Sequence, residues 1–203
     1  MSALQLEAIS PEERALPQFS RRALKRLPTW DLWHKNNLEQ LDQMKALGMF
    51  GSPIKLPKGG ILMHFHWQYR IKVNGKRRSH LCCDGSPRAV PEAHSTTDTY
   101  ASCLEHPVFQ LFIALCAADN LTIYGGDAKD AFAHSPGPLM PTFMKLDNAF
   151  CDWYLERMGV LLDKDLVLPA PRALQGHPEA ACAIVGRTYQ LYPQGPRFQE
   201  HYA

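Results

Sequence analysis

The chain has 203 residues, 45% of them hydrophobic and 21% charged, with 22 basic against 20 acidic side chains. That length and composition support one full domain or two small ones, and they exclude a disordered chain and a polycationic tail. A near-neutral sum still leaves a local basic surface open, because steering depends on where charges sit.

Residues 1–28 read as a poorly ordered, basic arm, with three prolines and the cluster Arg21, Arg22, Lys25 and Arg26. Its start lacks the basic stretch and apolar run of a secretory leader. The longest apolar stretch, around Val108 to Ala118, is far shorter than a bilayer span. No membrane partner is expected, and an intracellular setting is the default. The six cysteines form no Cys-x-x-Cys pair, which argues against a zinc ribbon or a redox motif.

A helix is predicted to begin after Thr29, a fitting N-cap, with Asp31 in its first turn. Trp30, Trp33, Leu38, Leu41, Met44 and Leu47 recur at spacings of mostly three and four, and Gly48 closes the segment. Phe65, Trp67, Tyr69, Ile71 and Val73 then alternate with His64, His66, Gln68, Arg70 and Lys72. Period two places these sets on opposite faces of a strand. Asn74-Gly75 predicts a tight hairpin turn, and Lys76 to Cys83 the returning strand. Between Lys58 and Arg88 lie seven basic residues and one acid, Asp84. Such a ribbon suits phosphate contact, and equally suits a solvated edge that discourages aggregation.

Further along, Val108 to Asn120 is a short helix candidate with Pro107 in its first turn, and Leu121 to Tyr124 reads as a brief buried strand. Asp147 is placed to cap a helix bearing Phe150, Trp153, Tyr154 and Met158, which Gly159 ends. Other chemistries find little support. His64 and His66 share a strand face but have no evident third ligand, no Gly-x-Ser-x-Gly elbow occurs, and the zinc-deaminase pattern is missing.

Asp127 follows the short apolar run and precedes Ala-Lys-Asp-Ala-Phe, a setting able to hold a hard cation or merely to cap a turn. Here the residues carry a family likeness. Tyr-Gly-Gly-Asp-Ala-Lys-Asp-Ala-Phe (124–132) resembles the first catalytic motif of reverse transcriptases of copia-type long-terminal-repeat retrotransposons. Upstream, Trp67 to Lys76 and Leu81 to Ala89 are similar to that family's fingers hairpin. Thr99 to Cys103 resembles the lead into the palm, and Arg172 to Ala180 the block Lys-Ala-Leu-Tyr-Gly-Leu-Lys-Gln-Ala. The ordered series spans roughly residues 30–186 and is more specific than any one motif.

The resemblance implies an α+β fold: a fingers β-hairpin plus part of the palm of a right-hand polymerase over residues 29–186, truncated, with a divergent tail at 187–203. It implies RNA-directed DNA polymerase chemistry by two-metal phosphoryl transfer, with template-primer nucleic acid and a deoxynucleoside triphosphate as partners. Asp127 would then be the catalytic, Mg2+-binding carboxylate. Asp130, Ala131, Phe132 and Gln175 would contact the nucleotide, Phe132 at the position that discriminates against a ribose 2′-hydroxyl. Lys72, Lys76, Arg77 and Arg78 would contact nucleic acid or triphosphate. Two departures stand out: His80 occupies a position where the family usually has Arg, and no Asp-Asp dipeptide occurs in the chain. The second departure predicts that this chain does not polymerise alone, since magnesium demands near-octahedral oxygen ligation. A noncatalytic nucleic-acid-binding module, or a mobile-element relic without a selected role, is the alternative.

Overall fold

The structure, a computed structural model, describes residues 9–16, 19–72, 74–96, 105–124 and 130–184. Two short helices, α1 (Pro11–Arg14) and α2 (Arg21–Leu24), lead into the long helix α3 (Trp30–Ala46). Strands β1 (Ile54–Lys55), β2 (Ile61–Ile71) and β3 (Arg77–Cys83) follow, then helices α4 (Pro91–Thr96), α5 (His106–Ala118) and α6 (Ala131–His134). Strand β4 (Thr142–Lys145), helix α7 (Asn148–Met158) and strand β5 (Leu166–Pro169) complete the set.

The five strands form one open, mixed sheet in the order β1-β5-β4-β2-β3. Strand β2 is long enough to serve two neighbours. Its first residues, Ile61 to His64, pair in parallel with β4, and Phe65 to Ile71 pair antiparallel with β3. The expected alternation holds along the strand: Ile61, Met63 and Tyr69 are buried, and His64, His66, Gln68 and Arg70 are exposed. The hairpin turn is one residue longer than the two-residue turn expected from Asn74-Gly75. Ile71 pairs with Arg77, the Lys72 amide donates to the Lys76 carbonyl at 2.9 Å, and Gly75 takes φ +78°. A glycine supplies that left-handed backbone at little cost.

Helices α3 and α7 cover one face of the sheet. Trp33, Asn37, Leu41 and Met44 form the buried stripe of α3, at helical spacing. Asn37 therefore sits where the sequence pattern suggested Leu38, which is half-buried. After α3 the chain turns sharply: Gly48 adopts φ +63°, its amide donates to Lys45, and the Met49 amide donates back to Met44. These two bonds satisfy carbonyls the helix would otherwise leave open. On α7 the cap is the expected one. The Asp147 carboxylate accepts from the Phe150 amide at 2.7 Å, and Gly159 closes the helix at φ +68°. Leu41, Met44, Phe150 and Trp153 from the helices meet Met63, Leu81, Cys83, Met144 and Leu168 from the sheet. Each such buried side chain contributes about 1.5–3 kcal/mol.

Three expectations are corrected. The N-terminal arm is not loose over its described residues: Glu13 and Leu24 are wholly buried, the latter packed with Trp33 and Tyr69. The Thr29 hydroxyl, expected to cap α3, instead donates to Glu13 Oε1 at 3.0 Å. Likewise, residues Leu121 to Tyr124 are not a buried strand. They form an irregular segment in which Leu121, Ile123 and Tyr124 are exposed, Tyr124 by 89%. An apolar run becomes a buried strand only where a neighbouring edge completes its hydrogen bonds, and no described strand lies beside this one. The same region holds α5, where Val108, Phe109, Leu111, Phe112 and Leu115 are exposed and Cys116 is buried. No helix among the described residues is long and apolar enough to cross a membrane.

Candidate functional site

The ribbon of β2 and β3 sorts its basic residues by strand parity. Arg70 and Arg78 are direct partners, as are Gln68 and His80. Arg70 is exposed on the face away from the helices, and Arg78 and His80 are half-buried. Lys72 and Lys76 flank the turn and are exposed.

Arg77 points the other way. Its side chain is 1% exposed and is spent on Glu13, with Nη2 to Oε2 at 2.6 Å and Nε to Oε1 at 2.8 Å. Arg77 is thus removed from the expected nucleic-acid contacts, because neighbouring residues on a strand face opposite sides. Glu13 also accepts from the Trp33 indole at 2.7 Å and from the Ser10 amide at 3.0 Å. Burial alone would raise its carboxyl, but the bonds from Arg77, Ser10, Trp33 and Thr29 outweigh that and hold it at about 2.

Beside the ribbon, between α3 and the start of α6, lies a cavity of about 360 Å3. Met44, Leu47, Met49, Leu81 and Phe132 make its apolar wall; Gln43, Arg78, His80, Asp130 and Gln175 are polar groups around it. Its volume is in the range usual for small-ligand sites, which combine apolar walls with a few placed polar groups. Four of the residues singled out for nucleotide contact, Asp130, Ala131, Phe132 and Gln175, line this one cavity, and Arg78 joins them. Lys72 lies apart from it, at a second recess near the ribbon tip with Arg70 and Asn74. Asp127 lies outside the described residues, as do Val73, the Thr99 to Cys103 segment and the tail at 187–203.

Each wall is held by a specific contact. Asp130 has left-handed backbone, φ +53°, and does not cap α6; its Oδ1 accepts from Gln43 Nε2 on α3 at 2.9 Å. Phe132 is half-buried and packs against the main core. Gln175 is brought in by close backbone approach. Its carbonyl accepts from the Cys83 amide at 2.9 Å, and its side-chain Oε1 meets His80 Nε2. Gly176, at φ +94°, makes that approach feasible, since a Cβ there would collide with the Cys83 carbonyl. Beyond it, His177 is buried, its Nε2 3.2 Å from the Thr142 hydroxyl and its Nδ1 accepting from the Glu179 amide.

Three members of the site were not assigned from sequence: Gln43, Arg70 and His80. Arg70 and His80 were detectable in principle, since they share strand parity and face with Arg78. Gln43 carried no signal, being one of several polar residues on the outer flank of α3.

Among the described residues no group of three His, Cys, Asp or Glu side chains converges where a metal ion could bind. His64 and His66 lie near Asp84, whose carboxyl is held below the usual range chiefly by hydrogen bonds from Ser86 and to a smaller extent by the two imidazoles. Asp130 is engaged by Gln43. The described residues therefore do not by themselves make the oxygen cage that magnesium requires. No protein-family model, no curated protein and no solved structure matches the chain.

Proposed function

We propose that the chain is the fingers and part of the palm of a copia-type retrotransposon reverse transcriptase, binding template-primer on its ribbon and a deoxynucleoside triphosphate in the cavity. One observation carries the reading. Asp130, Ala131 and Phe132 from one motif and Gln175 from another, more than forty positions later, share a single cavity with Arg78 of the hairpin. An apolar wall with a cationic mouth fits a ligand that has a planar, weakly polar body and a phosphate end. Stacking on an aromatic ring and a charge-assisted bond to arginine are the usual means of holding such a ligand. The exposed Arg70, Lys72 and Lys76 beside it suit a phosphate backbone, which positions nucleic acid without reading sequence.

This chain by itself carries no Asp-Asp pair, so we infer that it binds without polymerising. Primer extension with magnesium should not exceed an Asp127→Ala control. Fluorescence anisotropy with a labelled primer-template should show affinity that falls steeply with salt and drops when Lys72, Lys76 and Arg78 are replaced together. Gln175→Ala and Phe132→Ala should weaken dNTP binding and leave primer-template affinity nearly unchanged. Binding of primer-template with no measurable dNTP affinity would favour the second reading, a noncatalytic nucleic-acid-binding module. That reading draws on the basic face of the ribbon alone.

A further inference from the structure

From His106 to Ala118, helix α5 contains no Asp, Glu, Lys or Arg. Val108, Leu111, Phe112 and Leu115 stand at i, i+3, i+4 and i+7, the spacing by which a helix lays an apolar stripe against a partner surface. These four are 45–59% exposed, Phe109 and Ile113 flank them, also exposed, and Cys116 is the buried residue of the helix.

The face is formed in advance of any partner. Asn120 takes left-handed backbone, φ +53°; its amide donates to the Ala117 carbonyl and the Leu121 amide to the Cys116 carbonyl. This pair of bonds closes a helix and fixes the direction in which the chain leaves it. Leu121, Ile123 and Tyr124 then follow, all exposed. With about 150–250 Å2 to a large side chain, these nine residues together leave on the order of 800 Å2 open to water. The largest apolar patch of an ordinary monomer is about 300–600 Å2. A stable pair of proteins buries about 800 Å2 on each partner.

We propose that two copies of the chain meet through this face, α5 lying antiparallel to α5 of the second copy about a two-fold axis at Phe112. Area and charge together select a second copy as the occupant. A charged partner would find no counter-charge on the stripe, whereas a face that meets itself must bring no like charges together, and this one brings none. Glu105 and Asp119, the nearest charges in the sequence, lie beyond the two ends of the helix, where solvent screens them. The antiparallel arrangement sets each helix N-terminus beside the C-terminus of its copy, which suits the helix dipoles. Phe112 is the middle residue of α5, so this register places it against its own copy and Phe109 against Leu115. An aromatic side chain at the centre of an interface is where binding energy concentrates. The pairing is independent of the nucleotide reading, because none of these residues lines the cavity.

Sedimentation equilibrium of the full 22.9 kDa chain should show twice that mass at high concentration. The dissociation constant should be about 1 µM, the weak end for an interface of this size. Well below that concentration the copies separate and the face lies open to solvent. Phe112→Glu and Phe112→Lys should each be monomeric at about 100 µM, a loss of at least a hundredfold in affinity. Mixing the two should restore dimers holding one of each, because residue 112 faces residue 112, and that recovery shows both variants to be folded. Leu161→Glu, at an exposed leucine outside the face, and Gln175→Ala, in the cavity, should dimerise as the wild type does. A chain that stays monomeric at about 100 µM, a dimer indifferent to Phe112→Glu, or a mass that climbs past two copies without limit overturns the proposal. A monomer that instead binds neutral phosphatidylcholine vesicles, and loses them with Phe112→Glu, overturns it as well and gives the face to a lipid surface. Loss of dNTP and primer-template binding with the dimer intact would remove the nucleotide reading and leave this one standing.

Discussion

The corner where the N-terminal arm meets the ribbon and the limb formed by α5 and residues 121–124 are built on opposite terms. In the corner, a few residues of arm bury a carboxylate, a guanidinium and an indole, and every polar atom of Glu13 is engaged. In the limb, apolar side chains dominate the composition yet remain exposed around most of the helix. Hydrophobicity alone does not place a segment in a core. Burial needs a partner surface, and the polar corner has one in β3 and α3, whereas among the described residues no sheet edge receives the apolar limb.

The largest effect is expected at Glu13. Replacing it with Ala leaves Arg77 charged and buried, and should cost about 3–5 kcal/mol in chemical denaturation. A second change, Arg77→Met, should recover much of that loss, because the guanidinium that the Glu13 carboxylate neutralised is then gone. If the single variant cost no more than a surface substitution, the corner would not be the lock described here.

Acid tests the same pair without mutation. The Glu13 carboxyl lies at about 2 in the folded chain against an ordinary 4.5. A lowered folded value stabilises above the unfolded value, so this contribution is complete above about pH 4.5 and is lost as pH falls toward about 2. Thermal unfolding of the wild type should therefore drop over that window by more than that of Glu13→Gln.

The arm's outer pin should matter much less. Arg21 reaches Asp152 on α7 at 2.8 Å, and Arg21 and Lys25 both lie over the Trp30 ring at 5.5 Å. Since Asp152 is 44% exposed, Asp152→Ala should cost about 0.5 kcal/mol and be further muted by salt. Smallest of all should be Leu111→Ser with Leu115→Ser on α5, within about 0.5 kcal/mol. The readout there is surface rather than stability: dye binding to exposed apolar area should fall and solubility rise. A loss of several kcal/mol would mean that α5 is packed after all.

The elements legible in the sequence were those with a local cause. The period-two run from His64 to Ile71, the Asp147 cap and the glycines at 48 and 159 act through their immediate neighbours, and each does in the fold what its chemistry suggested. The failures share one cause too. Leu121 to Tyr124 has the composition of a buried strand, but strand formation depends on an edge supplied from elsewhere. Arg77 has the same charge as Arg78; strand parity turns it to the other face, and there it meets the buried Glu13, 64 residues earlier. The candidate site divides along the same line. Strand parity in the ribbon already grouped Arg70 with Arg78 and His80, while the contact of Gln43 with Asp130 depends on where a distant helix lands.

By itself, then, the amino-acid order determined the long helix α3, the β2–β3 ribbon with its apolar face and the capped helix α7, because those follow from spacing along one backbone. Tertiary structure alone decided which charges are neutralised, which apolar runs stay in water, and that residues 78, 130, 132 and 175 surround one cavity. Those outcomes depend on distances between residues far apart in the chain, and no local periodicity encodes them.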